Sequence, residues 1–265
     1  SDGVLTPSEV ISLALKRGLA VIALTDHDTL SGIAEAQQAA AGTELEVITG
    51  VEVNSEGDWG DLHILGYHVD LENGPLQERM RMMREARIGR AREMIQLLGR
   101  MDMPLDWETV RTLAGGESVG RPHIARALLD EGYVETMQEA FDRFIANGGP
   151  AYVPRLRLSP PEVIQTIIEA GGVPVLAHAV HSGEEAVALI PELVSYGLQG
   201  LEVYYPNHSS KDVAMLLEMC QQYDLLSTGG TDFHGPNIGE GAPLGSIHVP
   251  MECVEQLRRA VTDDV

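Results

Sequence analysis

Short β-branched runs alternate with longer stretches of 3.6-residue periodicity along most of the chain. The runs "AVIAL" (Ala20–Leu24), "ELEVITGVEVN" (Glu44–Asn54), "DLHILGY" (Asp61–Tyr67), "VPVLA" (Val173–Ala177), "LQGLEVYY" (Leu198–Tyr205) and "DLLSTGGTDFHG" (Asp224–Gly235) read as strands with their following turns. Helix starts are legible at Thr6-Pro7-Ser8-Glu9 and Ser159-Pro160-Pro161-Glu162, where a capping hydroxyl precedes proline and a Glu stands at the third helical position. Further helices are predicted over Glu184–Tyr196 and Ser209–Tyr223. Strands alternating with helices imply an α/β fold on a mainly parallel sheet, open or closed into a barrel.

The middle of the chain breaks this rhythm. From Pro75 to about Phe144 only helical patterns occur, over Leu76–Met101, Trp107–Leu113, Pro122–Leu129 and Met137–Ile145. They predict a helical insertion domain, 75–149, with Gly148-Gly149-Pro150 as the return hinge into an α/β body made of 1–74 and 150–265. Met80, Met82, Met83 and Met94, with Ile95, Leu97 and Leu98, read as the apolar face of the first inserted helix.

Composition narrows the function classes. A hydrophobic share of 44% with 22% charged residues describes a globular chain, and no apolar run approaches the ~18 residues of a membrane helix. Cys220 and Cys253 are too few and too far apart for a disulfide framework or a CxxC metal knuckle, so a cytoplasmic, reducing setting is expected. The net charge of −22 argues against general affinity for nucleic acid, so neither duplex DNA nor, without a long apolar run, a membrane is expected as partner. That charge is uneven: Gln77–Arg157 holds 13 Arg and no Lys against 12 Asp and Glu, out of 18 basic and 40 acidic residues in the whole chain. Glycine-rich "STGGTDFHG" lacks the lysine of a phosphate-binding P-loop.

The apolar runs end in groups that belong poorly in a core: Asp26-His27-Asp28, Glu52, His63, His178, Glu202, Asp232 and His234. In α/β sheets and barrels, side chains just past the carboxyl ends of strands converge on one face. Four histidines and several carboxylates recurring there predict a metal centre, although any one of them alone is more often a structural residue. Mixed imidazole and carboxylate donors suit Zn²⁺, Mn²⁺ or Fe²⁺ better than Ca²⁺ or Mg²⁺, and clustered cations point to hydrolysis.

In order, "SDGVLTPSEV", "IALTDHDT", "GVEVN", "LHILGY", "LAH", "GLEVYYP" and "TDFHG" resemble the motifs of the polymerase-and-histidinol-phosphatase (PHP) superfamily. The insertion, with "GRPHIA" and "GGPAYVPR", resembles the branch that hydrolyses nucleoside 3′,5′-bisphosphates and trims short RNA from its 5′ end. The resemblance implies a distorted seven-stranded β/α barrel with two to three divalent ions (Mn, Fe or Zn) and a metal-bound hydroxide that attacks phosphorus. By motif, Asp2, His27 and His234 would hold one ion. Glu52 would bridge two others, one carrying His63 and His178 and the second Asp232. Asp26 and Asp28 would orient His27 and its neighbours, and Asp26 is counted with His208 and Arg121 among the catalytic groups. His208 would contact phosphate or protonate the leaving oxygen, unless it is a helix-cap residue.

Substrate contacts fall to His208 and to the Arg-rich segment, through Arg121, His123 and Arg155. Arg84, Arg87 and Arg90 could add phosphate donors or form a solvated face pairing with Glu85 and Glu93. Tyr152 would stack on a base or pack as an ordinary aromatic. The expected substrate is a small phosphorylated nucleotide or short RNA. The alternatives are another small ester such as histidinol phosphate, or a non-catalytic metal- or phosphate-binding domain. Two departures from the family pattern are visible. A strand ending in a His-x-His pair is expected before "SDG", and it would supply two ligands of the Asp232 ion. Ala179 stands where proline is usual, leaving His181 as an opportunistic ligand or an exposed side chain.

Overall fold

The computed structural model describes residues 3–57, 60–114, 119–154, 156, 158–236 and 242–262. In chain order these form α1 (Pro7–Arg17), β1 (Val21–Leu24), α2 (Ile33–Ala40), β2 (Glu46–Gly57), β3 (Gly60–Tyr67), α3 (Gly74–Gly99), α4 (Trp107–Leu113), α5 (Arg121–Asp130) and α6 (Met137–Ala140), which runs into a π-helical turn at Phe141–Ile145. There follow α7 (Pro160–Glu169), β4 (Val173–Leu176), α8 (Glu184–Ala188), α9 (Ile190–Ser195), β5 (Gly200–Tyr204), α10 (Ser210–Tyr223), β6 (Leu226–Gly229) and α11 (Met251–Thr262). Among the described residues no helix is long and apolar enough to cross a membrane. The chain divides into two compact units, one of Gly3–Glu78 with Arg157–Val265 and one spanning Arg79–Leu156.

The α/β unit is built on a six-stranded sheet in the order β1-β2-β3-β4-β5-β6. Six strands thus stand where seven are implied by the resemblance, and among the described residues β1 and β6 form open edges rather than closing a barrel. The pairs β1–β2, β4–β5 and β5–β6 are parallel, but β2–β3 and β3–β4 are antiparallel. The reason is connection length: β2 and β3 follow each other with no crossover helix between them, and a hairpin can only join antiparallel strands.

Direction decides what each strand delivers. Ile48, Leu65, Tyr67, Val173, Val175 and Ala177 form one buried cluster, closed by Leu257 of α11 with Val254, Ala260 and Val261. Alternate residues of a strand share a face, so Glu52 and Asn54 follow Ile48 upward on β2, while His63 precedes Leu65 and Tyr67 on β3. One face of the sheet therefore passes from apolar packing at one end to ionisable groups at the other. α1 and α2 pack together through Ile11, Ala14, Ala36 and Ala40. The capping box at the start of α1 forms, with Glu9 N–H donating to Thr6 Oγ1 (3.3 Å) and Thr6 N–H to Glu9 Oε2 (2.8 Å).

The helical unit has its own core, made of Ala91, Met94 and Leu98 of α3, Val110 of α4, Ile124, Ala125, Ala127 and Leu128 of α5, and Ile145, Ala151 and Val153. Met80, Met83 and Met94 are buried, but Met82 is exposed. A step of two residues turns about 200° round the helix, which carries Met82 off the apolar face.

Candidate metal centre

Glu52 is the hub. It is 5% exposed, and its isolated parallel bridge to His27 joins the end of β1 to β2 beyond the regular pairing. On one side, His63 Nδ1 lies 2.8 Å and His178 Nε2 3.4 Å from Glu52 Oε1, and the two nitrogens are 3.2 Å apart. A tetrahedral ion with bonds of about 2.0–2.1 Å separates its donors by about 3.3–3.4 Å, so this triangle has nearly the dimensions of a first coordination sphere. On the other side, His27 Nδ1 lies 3.7 Å from Glu52 Oε2. Donor atoms of His27, Glu52 and His63 all fall within 4.8 Å of one another. Burial pushes the Glu52 carboxyl upward, but His27, His178 and His63 outweigh it and hold the group well below the usual carboxylate range. An anion whose two oxygens face different imidazoles fits a carboxylate shared by two cations.

Reading ligands from the carboxyl ends of strands misplaces one of them. His63 stands near the start of β3, opposite Asn54 in the pairing, and it reaches the centre because β3 runs antiparallel to β2. His178 follows β4. Asp232 and His234 follow β6, with His234 Nδ1 2.8 Å from the Asp232 carbonyl and 3.6 Å from Asp232 Oδ1. The rings of His27 and His234 lie 6.4 Å apart. Asp2 lies outside the described residues.

Further residues hold these ligands: Asn54 and Tyr205 had no expected role, whereas Asp28 was expected to orient His27 and Glu202 stood among the strand-end candidates. Asn54 donates from Nδ2 to Asp28 Oδ2 (3.0 Å) and from its backbone to Asp28 Oδ1 (3.3 Å), with Nδ2 3.5 Å from His27 Nδ1. Asp28, 1% exposed, thereby anchors the loop after β1 that carries His27. Glu202 accepts the His178 backbone N–H (2.9 Å), and burial pushes its carboxyl up to about 8. Tyr205 O–H donates to Asp232 Oδ2 (3.3 Å), and its ring sits 5.5 Å from that of His178 and 5.2 Å from that of His208. One signal was available for Asn54: it stands two residues after Glu52, on the same face of β2.

The register between β5 and β6 slips between Glu202 and Tyr204. Such a bulge takes a residue out of the ladder, and the Val203 carbonyl accepts from His208 Nδ1 (2.9 Å) instead. This bond fixes the tautomer, and among the described residues the buried Nε2 has no hydrogen-bond partner. Burial holds the His208 imidazole below its ordinary range. Ser209, not His208, caps α10, so the helix-cap alternative for His208 does not hold. His181 is exposed, its ring 5.9 Å from that of His178. Asp26 is half-buried, and its carbonyl accepts the Glu52 N–H at 3.2 Å.

The remaining candidates belong to the helical unit. Arg121 Nη1 donates to Asn147 Oδ1 (3.3 Å) with its guanidinium 5.9 Å from the Phe141 ring. His123 Nδ1 accepts the Gly120 N–H (3.0 Å), completing the N-terminal cap of α5 and leaving the proton of a neutral ring on Nε2. Arg90 Nε donates to the Val153 carbonyl (2.6 Å) and its guanidinium lies over Tyr152 (5.6 Å). Glu85 pairs with Arg81 on the same helix. Arg155 lies outside the described residues.

A family model described as "PHP domain" matches residues 1–137. A "5′-3′ exoribonuclease" of Haemophilus influenzae is 34% identical over 258 residues, covering 95% of this chain and 94% of its own. A "3′,5′-nucleoside bisphosphate phosphatase" of Chromobacterium violaceum is 35% identical over 250 residues, covering 91% and 85%. Among solved structures, a chain from Bifidobacterium adolescentis, provisionally described as a metal-dependent phosphoesterase, superposes with a TM-score of 0.84 at 31% identity over 98% of this chain and 92% of that one. Motif order, the histidine and carboxylate cluster around Glu52 and these likenesses agree that the chain belongs to the PHP domain family.

Proposed function

We propose that this metal-dependent phosphoesterase removes the 5′-phosphate of nucleoside 3′,5′-bisphosphates and of short 5′-phosphorylated RNA. The observation that carries the reading is the Glu52 hub, with His63 and His178 on one carboxylate oxygen and His27 on the other. Relatives named for both activities span nearly the whole chain. Glu52, His63 and His178 would hold one divalent ion, Asp232 with Glu52 a second, and His27 and His234 with Asp2 a third next to the Glu52 oxygen that His27 faces, drawn from Mn, Fe or Zn. When bound, such ions polarise a water for attack and neutralise phosphoryl oxygens.

The chain's own groups do the rest. Glu52 stays anionic and keeps its donors in place. Asn54 and Asp28 hold the loop of His27, with Asp26 beside it. His208 keeps Nδ1 on the Val203 carbonyl and offers Nε2. A phosphate dianion beside that ring favours its protonated form, which then donates to phosphate or to the leaving oxygen. Arg121 and Arg155 as cations, and His123 through its Nε2 proton, are the proposed donors to the second phosphate, with Tyr152 offered to the base.

A panel at matched concentration tests this: adenosine 3′,5′-bisphosphate, adenosine 5′-monophosphate, a 5′-phosphorylated RNA trinucleotide and histidinol phosphate, with manganese supplied. The bisphosphate should exceed the monophosphate by about tenfold or more in kcat/KM, the worth of one charge-assisted contact to a second phosphate. A preference for histidinol phosphate would overturn the substrate assignment.

A further inference from the structure

We infer that Glu202 is a positioning residue for His178: its carboxylate grips the His178 amide and so keeps the imidazole aimed at Glu52. The inference rests on reading His178 as a metal ligand. His178 has φ 28°, a left-handed backbone unusual for a residue with a side chain, and it sits where β4 gives way to the loop that follows. Its N–H has left the sheet ladder and is taken instead by Glu202 Oε2 at 2.9 Å, from the adjacent strand β5. Glu202 is 5% exposed and lies opposite Thr228 in the pairing with β6, just before the bulge. Space for its second oxygen comes from Gly230, where a Cβ would stand 3.3 Å from Oε1. The carboxylate thus lies between the loops that carry His178 and Asp232, while the metal-facing donors are supplied by other residues. Reach, rather than charge, is what this role demands.

Two conservative variants separate reach from charge. Glu202→Gln keeps the length and an acceptor oxygen but cannot ionise, whereas Glu202→Asp keeps the acidic group and withdraws the oxygen by one methylene. Metal-stripped protein is titrated with Mn²⁺, free ion is read by electron paramagnetic resonance, and the His178 amide is followed by ¹H–¹⁵N NMR. His178→Ala is titrated alongside. Glu202→Gln should bind Mn²⁺ within about twofold of the parent, and Glu202→Asp about 10–100-fold more weakly, the usual cost of losing a partner that orients a ligand. The His178 amide resonance should move upfield in the Asp variant and hold its place in the Gln variant. Equal binding by both variants, or weakening in Gln alone, overturns the role of Glu202 if His178→Ala binds poorly. If His178→Ala binds as the parent does, it is the ligand reading that fails.

Discussion

Asp28, His178 and Asp232 adopt left-handed backbone, with φ 54°, 28° and 46°, at the points where β1, β4 and β6 give way to loops. Conformations of this kind cost of order 1–3 kcal/mol each and persist where surrounding structure over-determines them. Here Asn54, Glu202 and Tyr205 each bond one of them. The ligand types were legible in the sequence because a carboxylate or imidazole ending an apolar run is conspicuous. Of their holders, Glu202 was conspicuous for the same reason, but Asn54 and Tyr205 were not, since a Tyr or Asn in a strand reads equally well as packing. His68 shows the same backbone, φ 57°, away from the centre, and its buried Nε2 has no hydrogen-bond partner among the described residues. Burial, reinforced by Arg258 and opposed by Glu46, holds its imidazole below the ordinary 6.5. The unfolded chain therefore takes up a proton below pH 6.5 that the folded chain refuses, so this contribution to stability is complete above that pH and is lost as pH falls. His68→Asn, which tolerates the left-handed backbone, should lose less stability than the parent between about pH 7.5 and 5.5 in urea unfolding. An unchanged pH dependence would remove His68 from that role.

At the scale of elements, helices announced themselves through their caps, and the box at Thr6 forms as its spacing implies. Strand direction did not, because period-2 alternation is the same read either way, and only the pairing partner sets it. The hairpin that reverses β3 is what brings His63 opposite Asn54. The β5–β6 pair is similarly constrained at Gly229, where a Cβ would lie 2.6 Å from both the Tyr204 carbonyl oxygen and its Cβ. Gly229→Ala should therefore push β6 from β5, costing about 1–3 kcal/mol and weakening Mn²⁺ binding through the displaced Asp232 loop. Denaturant unfolding with a parallel metal titration checks this, and a variant as stable and as tight-binding as the parent would show that the strand pair has slack.

Across the whole molecule, the acidic bias and the Arg-rich segment divide by sequence position: 13 of the 18 basic residues fall within Gln77–Arg157. That distribution favours small anionic substrates met by a few guanidinium groups over extended nucleic acid held along a basic surface. The metal hub was legible in the sequence from the company the strand ends keep, yet its geometry, two oxygens of one carboxylate facing different imidazoles, needed the fold. The most direct test is elemental mass spectrometry of protein purified without chelator, set beside Glu52→Gln. The parent should carry roughly two or three transition-metal ions per chain. The variant should lose at least one ion together with phosphoesterase turnover. Full metal content in the variant, or turnover of the parent that survives complete removal of metal, would contradict a carboxylate-bridged centre as the seat of the chemistry.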